Sequence, residues 1–480
     1  MELHEIIEQR KAKLVSLKEK GGCGYGSPKL SLTDIASLLD NFQEAKKVAI
    51  AGRLTAMRSH GKAVFADLRD RTGRIQLYFK ADYLGPERFD SLKDVDIADI
   101  IEIEGELFKT HTGELTVKVE NFFMLAKALR PLPEKWHGLK DVEVRYRQRY
   151  LDLLANEEVR KVFQMRSRII KAIRTFLDKA GFLEVETPMM HPIAGGAAGR
   201  PFKTFHNEYG LNLYLRIAPE LYLKQLLVGG LDKVYEINRS FRNEGVSTRH
   251  NPEFTMLEVY CAYADYEDMM KLTQDLIISV AMEVLASDKF VYQGKAVELT
   301  LPWQKRSFAQ MVKEKFGIEP QDEAPLLLKK LKAKGFATDQ NRLSRSQVNK
   351  IIEEILEQGI GANPVFVTDY FTHLCPLAQK KKDNPLISER FELYVAGMEI
   401  ANAYSELNDP LEQRRRFEEE IAECNAEERK SVDDDYVLAL EHGMPPAGGL
   451  GIGIDRLIML LTDQPSIRDV ILFPLLRPEQ

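Results

Sequence analysis

Within FRNEGVSTRHNPEFTMLEVY (241–260), Arg242 and Glu244 stand two residues apart, and Glu258 and Tyr260 repeat that spacing. On an extended strand, residues two apart point to one face. Between the pairs lie Gly245, Arg249, His250 and the helix-discouraging Asn251-Pro252. The pattern predicts a hairpin with charge on one face and a cationic loop at its tip. A sheet face that packs on a core is apolar, so a charged face on paired strands needs water or a charged ligand. Phosphates together with a cationic small molecule would satisfy both signs.

Two further constellations follow towards the C-terminus. In RFELYVAGMEIANAYSELND (390–409), Glu392 falls on one strand and Gly397 at a turn. Asn402, Tyr404 and Glu406 then alternate along the next strand, opposite in phase to Ala401, Ala403 and Ser405. Glu392 and Glu399 are hard oxygen donors of the kind Mg²⁺ takes beside substrate phosphates, although strand acids are also commonly just solvated. AGGLGIGIDRLIMLL (447–461) alternates glycine with Leu and Ile, which suits a buried strand approached closely by backbone or ligand. Its GLGIG is not a dinucleotide fingerprint, because G-x-G-x-x-G is not met and a βαβ setting is missing. Arg456, opening the next helix, suits a phosphate or purine contact and equally a structural ion pair.

These residues need a scaffold, and at 480 residues two or three domains are expected. An apolar fraction of 44% and a charged fraction of 29% are ordinary for a globular chain. The charged N-terminus has no secretory h-region, and no apolar run reaches bilayer length, so a cytoplasmic protein with no membrane partner is expected. Cys23, Cys261, Cys375 and Cys424 stand far apart without a CxxC pair, which fits reduced thiols. A net charge of −6 argues against indiscriminate coating of nucleic acid, so such contact must be local. Residues 53–80 supply a patch with seven basic and two acidic residues. Five short strands between about 46 and 125, with an insertion before the fourth, fit an oligonucleotide-binding barrel. Arg58, Phe65 and Gln76 on it would offer a cation, a stacking platform and an amide to unpaired bases. The alternative is that Phe65 is core and Arg58 merely solvated.

The expected organisation is α+β: an N-terminal helical extension (1–45), the five-stranded barrel (46–128) and a Pro-rich linker (129–145). A domain built on an antiparallel sheet flanked by helices (146–480) follows, with a helical insertion at about 304–358. Residues 157–179 place Val159, Val162, Phe163, Ile169, Ile170, Ile173, Phe176 and Leu177 on one helical stripe. Gly181 stands where a helix C′ residue is wanted.

PMMHPIAGGAAGRPF, RIAPELYLKQLLVGG, the 241–260 stretch and GLGIGIDR resemble the class II aminoacyl-tRNA synthetases, in the right order, from about residue 46 to the C-terminus. IAPELYLK and NAYSELNDP resemble the lysyl members, of bacterial type. The pocket-facing positions Glu220, Glu258, Tyr260 and Glu406 are read as containing no Lys or Arg, which suits an ammonium substrate. The resemblance implies lysine, ATP, Mg²⁺, tRNA(Lys) and a homodimer formed through the helix and strand ending at Pro188. It places Glu258, Glu406 and Tyr260 on the side-chain ammonium, and Glu220 with Gly196 on the α-amino group. Asn402 and Arg242 would orient the carboxylate, with Tyr404 and Gly451 also lining the site. Arg242 would bind the α-phosphate, Glu244 the adenine amino group, and Arg249 and His250 the outer phosphates. Phe254 and Arg456 would sandwich the adenine, Arg242 and Arg456 would be catalytic, and Glu392 and Glu399 would hold Mg²⁺. On the barrel, Arg58, Phe65, Gln76 and Glu114 would read the anticodon. Tyr404 departs from the Phe usual in the bacterial pattern, and Cys375 replaces a usual serine. A lysyl transferase acting on a protein and a non-catalytic RNA-binding relative are the alternatives, against which stand the complete barrel and the intact charged set.

Overall fold

The computed structural model describes residues 2–20, 23–132, 139, 141–193, 195–196, 199–336, 351–352, 355, 359–423 and 432–478. Parts of the expected linker, of the helical insertion and Cys424 therefore lie outside the described residues. The chain forms two compact units, residues 1–141 with 150–156, and residues 142–149 with 157–480. Residues 150–156 thus group with the first unit rather than with the catalytic block.

In the first unit, β1 (Lys47–His60), β2 (Ala63–Arg69), β3 (Arg74–Lys80), β4 (Ile100–Lys109) and β5 (Leu115–Ala126) close a barrel in the order β1-β2-β3-β5-β4. Alternate residues such as Ile50, Leu68, Leu77, Ile103 and Val117 fill its interior. Because β1 pairs with both β2 and β4, it must bend, and its ladder breaks register between Leu54 and Ala56. Gly52 lies in the crowded stretch, where a Cβ would stand 2.5 Å from the Arg69 carbonyl oxygen. Ile35 and Leu38, from the helix Ile35–Asp40, join the barrel core, so the N-terminal extension is part of this unit.

In the second unit, the helix Glu157–Lys179 buries Val159, Val162, Ile169, Ile173 and Leu177, and Gly181 follows it at φ +81°. The strands are β6 (Leu183–Glu184), β7 (Met190–His191), β8 (Lys203–His206), β9 (Leu211–Leu215), β10 (Lys233–Phe241) and β11 (Glu253–Ala262). They continue with β12 (Lys289–Tyr292), β13 (Lys295–Glu298), β14 (Gln304–Ser307), β15 (Val365–Thr368), β16 (Arg390–Val395), β17 (Met398–Ser405) and β18 (Ala447–Gly453). Eight of them form one sheet in the order β14-β15-β16-β17-β18-β11-β10-β6. The two edge pairs are parallel and everything between is antiparallel. Leu257, Val259, Leu393, Ala401, Ala403, Leu450 and Ile452 turn one face into a core shared with Ile169, Leu276 and Leu457 of the covering helices. Strand alternation sends the residues between them to the other face.

The segment expected to be a helical insertion from 304 instead begins with the edge strand β14. Its later helices, Phe308–Phe316 and Ala324–Ala333, pack Phe308, Val312 and Leu331 against Tyr370 and Phe371. Ala396 and Gly397, both at positive φ, join β16 to β17 by a two-residue turn of the type that matches strand twist.

Candidate active site

Two cross-strand rows organise the polar face. Glu392 is registered with Asn402, Asn402 with Gly451, Gly451 with Glu258, and Glu258 with Glu236. The neighbouring row runs Arg390, Tyr404, Gly449, Tyr260 and Val234. The central strand, β18, contributes only glycine to both rows and becomes the floor of a trough walled by β17 and β11. A Cβ on Gly449 would collide with the Glu406 carboxylate and stand 2.7 Å from the Tyr260 ring. The motif's glycine therefore makes room for acids.

At one end of the trough, Glu220 opens the helix Glu220–Val228, and Gly196, at φ +87°, lies beside it. Glu220, Glu258, Tyr260 and Glu406 are all buried. The Tyr260 hydroxyl donates to Glu258 at 3.1 Å, and the Tyr404 hydroxyl donates to Glu220. Burial, reinforced by Glu220, pushes the Glu258 carboxyl up to about 8. Glu406 Oε1 is buried with no hydrogen-bond donor among the described residues, while Oε2 faces the Lys224 ammonium.

The expectation of a pocket without Lys or Arg is wrong. Lys224 is fully buried there, donates to Glu220 at 2.7 Å and contacts Glu406. It lies four residues after Glu220, one helical turn on, so the helix brings both to one face. Burial alone would strip its proton, but Glu220 and then Glu406 overcome this and raise its pKa.

The other end is cationic. Arg242 and Glu244 do not lie on the strand as expected, because β10 ends at Phe241. The Arg242 N–H still donates to the Pro252 carbonyl at 2.8 Å, and that of Glu244 to the Arg242 carbonyl at 2.8 Å, which turns the chain away. The Arg242 guanidinium lies 5.1 Å over the Phe254 ring, and its Nε is buried without a hydrogen-bond acceptor among the described residues. In the loop, Ser247 Oγ accepts from the N–H groups of Arg249 and His250, both at 3.1 Å. His250 Nε2 stands 3.2 Å from Arg456 Nη2. Arg456 Nη1 reaches the Glu399 carbonyl at 2.9 Å and its carboxylate at 2.8 Å. Asp455 fixes the start of that helix by accepting from the Thr255 N–H at 2.7 Å and pairing with Arg166 at 2.5 Å. Glu244 is exposed, and Phe254 is engaged by Arg242 rather than by Arg456.

On the barrel, Phe65 stays out of the interior core and packs against Tyr78, with ring centroids 4.9 Å apart. Tyr78 in turn meets Phe108 at 5.9 Å and Tyr83 at 6.5 Å. Gln76 accepts from Thr116 at 3.0 Å, and Asp67 lies 3.4 Å from Arg58 and 3.6 Å from Arg74. Glu114 is 3.8 Å from Arg74. An aromatic platform rimmed by charges suits stacked bases. Tyr78 was legible as the residue two along from Gln76 on the same strand; Phe108 and Tyr83 become neighbours only when the barrel closes.

Residues 141–477 match the family of class II tRNA synthetases (D, K and N), and residues 48–125 match the OB-fold nucleic acid binding domain. The lysine–tRNA ligase of Carboxydothermus hydrogenoformans is 54% identical, over 99% of each chain. That of Moorella thermoacetica is 52% identical over 99% of each, and that of Pelotomaculum thermopropionicum 52% over 100% of this chain and 96% of its own. The chain belongs to the lysine–tRNA ligase family. Its second unit thus carries the class II synthetase domain, and its barrel is an OB-fold of the anticodon-binding kind. Among the described residues no helix is long and apolar enough to cross a membrane.

Lysine–tRNA ligases of this class use ATP and Mg²⁺, and the two carboxylates expected to hold the ion differ in their surroundings. Burial opposes ionisation of Glu399, but Arg456, then Arg390 and Arg242, hold its carboxyl below the ordinary range. It is a ready anionic donor, with a side chain about 33% exposed. Glu392 is not on an exposed strand; it is buried, with Tyr370 and Tyr394 donating to one oxygen at 2.6 Å each and Arg390 to the other. Its unshared acceptor capacity lies on the Arg390-bound oxygen. No group of three or more His, Cys, Asp or Glu is placed to hold a metal ion among the described residues. The pair fits an ion carried mainly by phosphates and not one caged by protein.

Proposed function

We propose that this chain activates L-lysine with ATP and transfers it to the 3′-terminal adenosine of tRNA(Lys). The observation that carries the choice of amino acid is the buried acidic cluster of Glu220, Glu258 and Glu406, three carboxyls set against one buried lysine, Lys224, which contacts Glu220 and Glu406. Buried acids reject a neutral side chain, because it would leave them unpaired.

In the first step the lysine carboxylate attacks the α-phosphorus of ATP. A new carboxyl oxygen–phosphorus bond forms, the bond to the β-phosphate bridge breaks, and pyrophosphate leaves. No enzyme nucleophile is required, so catalysis rests on positioning and on stabilising negative charge. Arg242 binds the α-phosphate, with its buried Nε supporting that role. Glu244 takes the adenine amino group, Arg249 and His250 the outer phosphates, and Phe254 and Arg456 the purine faces. Glu258, Glu406 and Tyr260 receive the side-chain ammonium, Glu220 and Gly196 the α-amino group, and Asn402 and Arg242 the carboxylate, beside Tyr404 and Gly451. Glu399 and Glu392 would hold Mg²⁺, which when bound neutralises phosphate charge. In the second step a ribose hydroxyl of tRNA attacks the adenylate carbonyl, and AMP departs.

Phe65, Arg58, Gln76 and Glu114 read the anticodon. A homodimer is supported by the resemblance and by exposed apolar residues near β6 and β7, among them Leu183, Met189 and Met190. The site of action is the cytoplasm. ATP–pyrophosphate exchange with each amino acid in turn tests the reading: lysine-dependent exchange is expected, and exchange with none of them would refute it.

A further inference from the structure

The sequence offers Lys224 no role beyond helix packing, yet it is a fully buried ammonium in a pocket meant for an ammonium. Its Nζ donates to Glu220 at 2.7 Å, contacts Glu406, and lies 5.4 Å over the Tyr404 ring. The groups facing it are Glu220 on its own helix, Glu406 beyond β17 and Tyr404 on β17. Tyr436 on the helix Asp434–Glu441 adds a buried hydroxyl without a partner among the described residues, and Glu258 and Tyr260 on β11 complete the wall.

Three buried carboxyls cannot all stay ionised side by side, because burial and mutual repulsion both favour taking up protons. Burial, with Glu220 and Glu258, holds the Glu406 carboxyl well above the ordinary range, and Lys224 is the group that pulls it back towards the charged form. A neutral Glu406 would present a hydroxyl donor and would no longer demand a cation. Lys224 also contacts Glu220 and Glu406 together, and these are the acids assigned to opposite ends of the substrate. It therefore ties the two recognition points to one atom.

We infer that Lys224 is a specificity-determining residue of the amino-acid pocket, a built-in ammonium that touches Glu220 and Glu406 together and fixes their spacing, so that a substrate cation completes the cluster. This rests on the reading of the pocket as the lysine site. Lys224 touches the two acids and acts on substrate through them, which makes it a positioning residue.

The test is the pH profile of lysine KM in ATP–pyrophosphate exchange, for the wild type, Lys224→Met and Lys224→Arg. Lysine binding needs ionised acids, so KM falls as pH rises and levels off above the pocket's titration. In Lys224→Met the levelling-off moves up by at least about one pH unit, and KM at neutral pH rises about tenfold per unit of that displacement. ATP KM stays near the wild-type value, and Lys224→Arg keeps the wild-type profile with a moderately higher KM. Profiles parallel at every pH would mean that Lys224 is merely structural, and a shift in Lys224→Arg equal to that in Lys224→Met would equally overturn the inference. Should Lys224→Met fail to fold, Lys224→Gln gives the same comparison. If the wild type itself shows no lysine-dependent exchange, the reading of the site fails. If it does and the profiles are parallel, only the inference about Lys224 fails.

Discussion

The barrel face and the polar trough both gather charged side chains, but they hold them in opposite ways. On the barrel, Arg58 is half exposed, its partner Asp67 is 3.4 Å away, and Phe65 stacks on Tyr78 at the surface. In the trough, Glu258, Glu406 and Lys224 are buried, and their charges are decided by one another. An exposed pair is screened by water and salt and contributes little, whereas a buried charge that loses its partner is strongly destabilised. Under the function proposed above, the barrel would read bases by many small, separable contacts, while the trough would select by a few coupled ones.

The comparison can be broken experimentally. In the exchange assay the largest effect is expected from Arg242→Ala, which should slow exchange by about 10²–10³-fold through loss of transition-state charge stabilisation. An exchange rate near the wild type would remove Arg242 from the chemistry. Gly449→Ala pushes a methyl group into the Glu406 carboxylate and the Tyr260 ring. Overpacking of this kind costs about 1–3 kcal/mol, so lysine KM should rise about 10- to 100-fold with ATP KM little changed. An unchanged lysine KM would mean that the trough floor does not shape the pocket. Phe65→Ala should be smallest in the exchange assay, with no loss there, while weakening tRNA by about 1–3 kcal/mol for a lost stacked base. Loss of exchange in that variant would show that the two regions are not separable.

The barrel was legible almost strand by strand, because each strand alternates and each turn carries glycine. The helix Glu157–Lys179 was equally clear from its apolar stripe. The trough was legible on β11 and β17, where polar residues alternate with Leu257, Val259, Ala401 and Ala403. Its missing member was Lys224, since a lysine within YLKQLL reads as a solvated residue until the helix is docked. The i+4 spacing from Glu220 was the available signal. The end of β10 at Phe241 was hidden too, because the Arg242 N–H keeps one more ladder bond before the chain turns off. Tyr370, which donates to Glu392 at 2.6 Å, lies 22 residues away from it in the chain. No spacing rule connects them; the antiparallel pairing of β15 with β16 does.

The central claim is that the acids at the return strands choose the amino acid separately from the nucleotide end. It is tested most directly by measuring lysine and ATP binding to Glu406→Gln by equilibrium titration. Leaving Lys224 without one of its two carboxylates and the substrate ammonium without its partner should weaken lysine by about 3–5 kcal/mol, with ATP affinity within about twofold of the wild type. Equal losses in the two ligands would contradict the division of the trough.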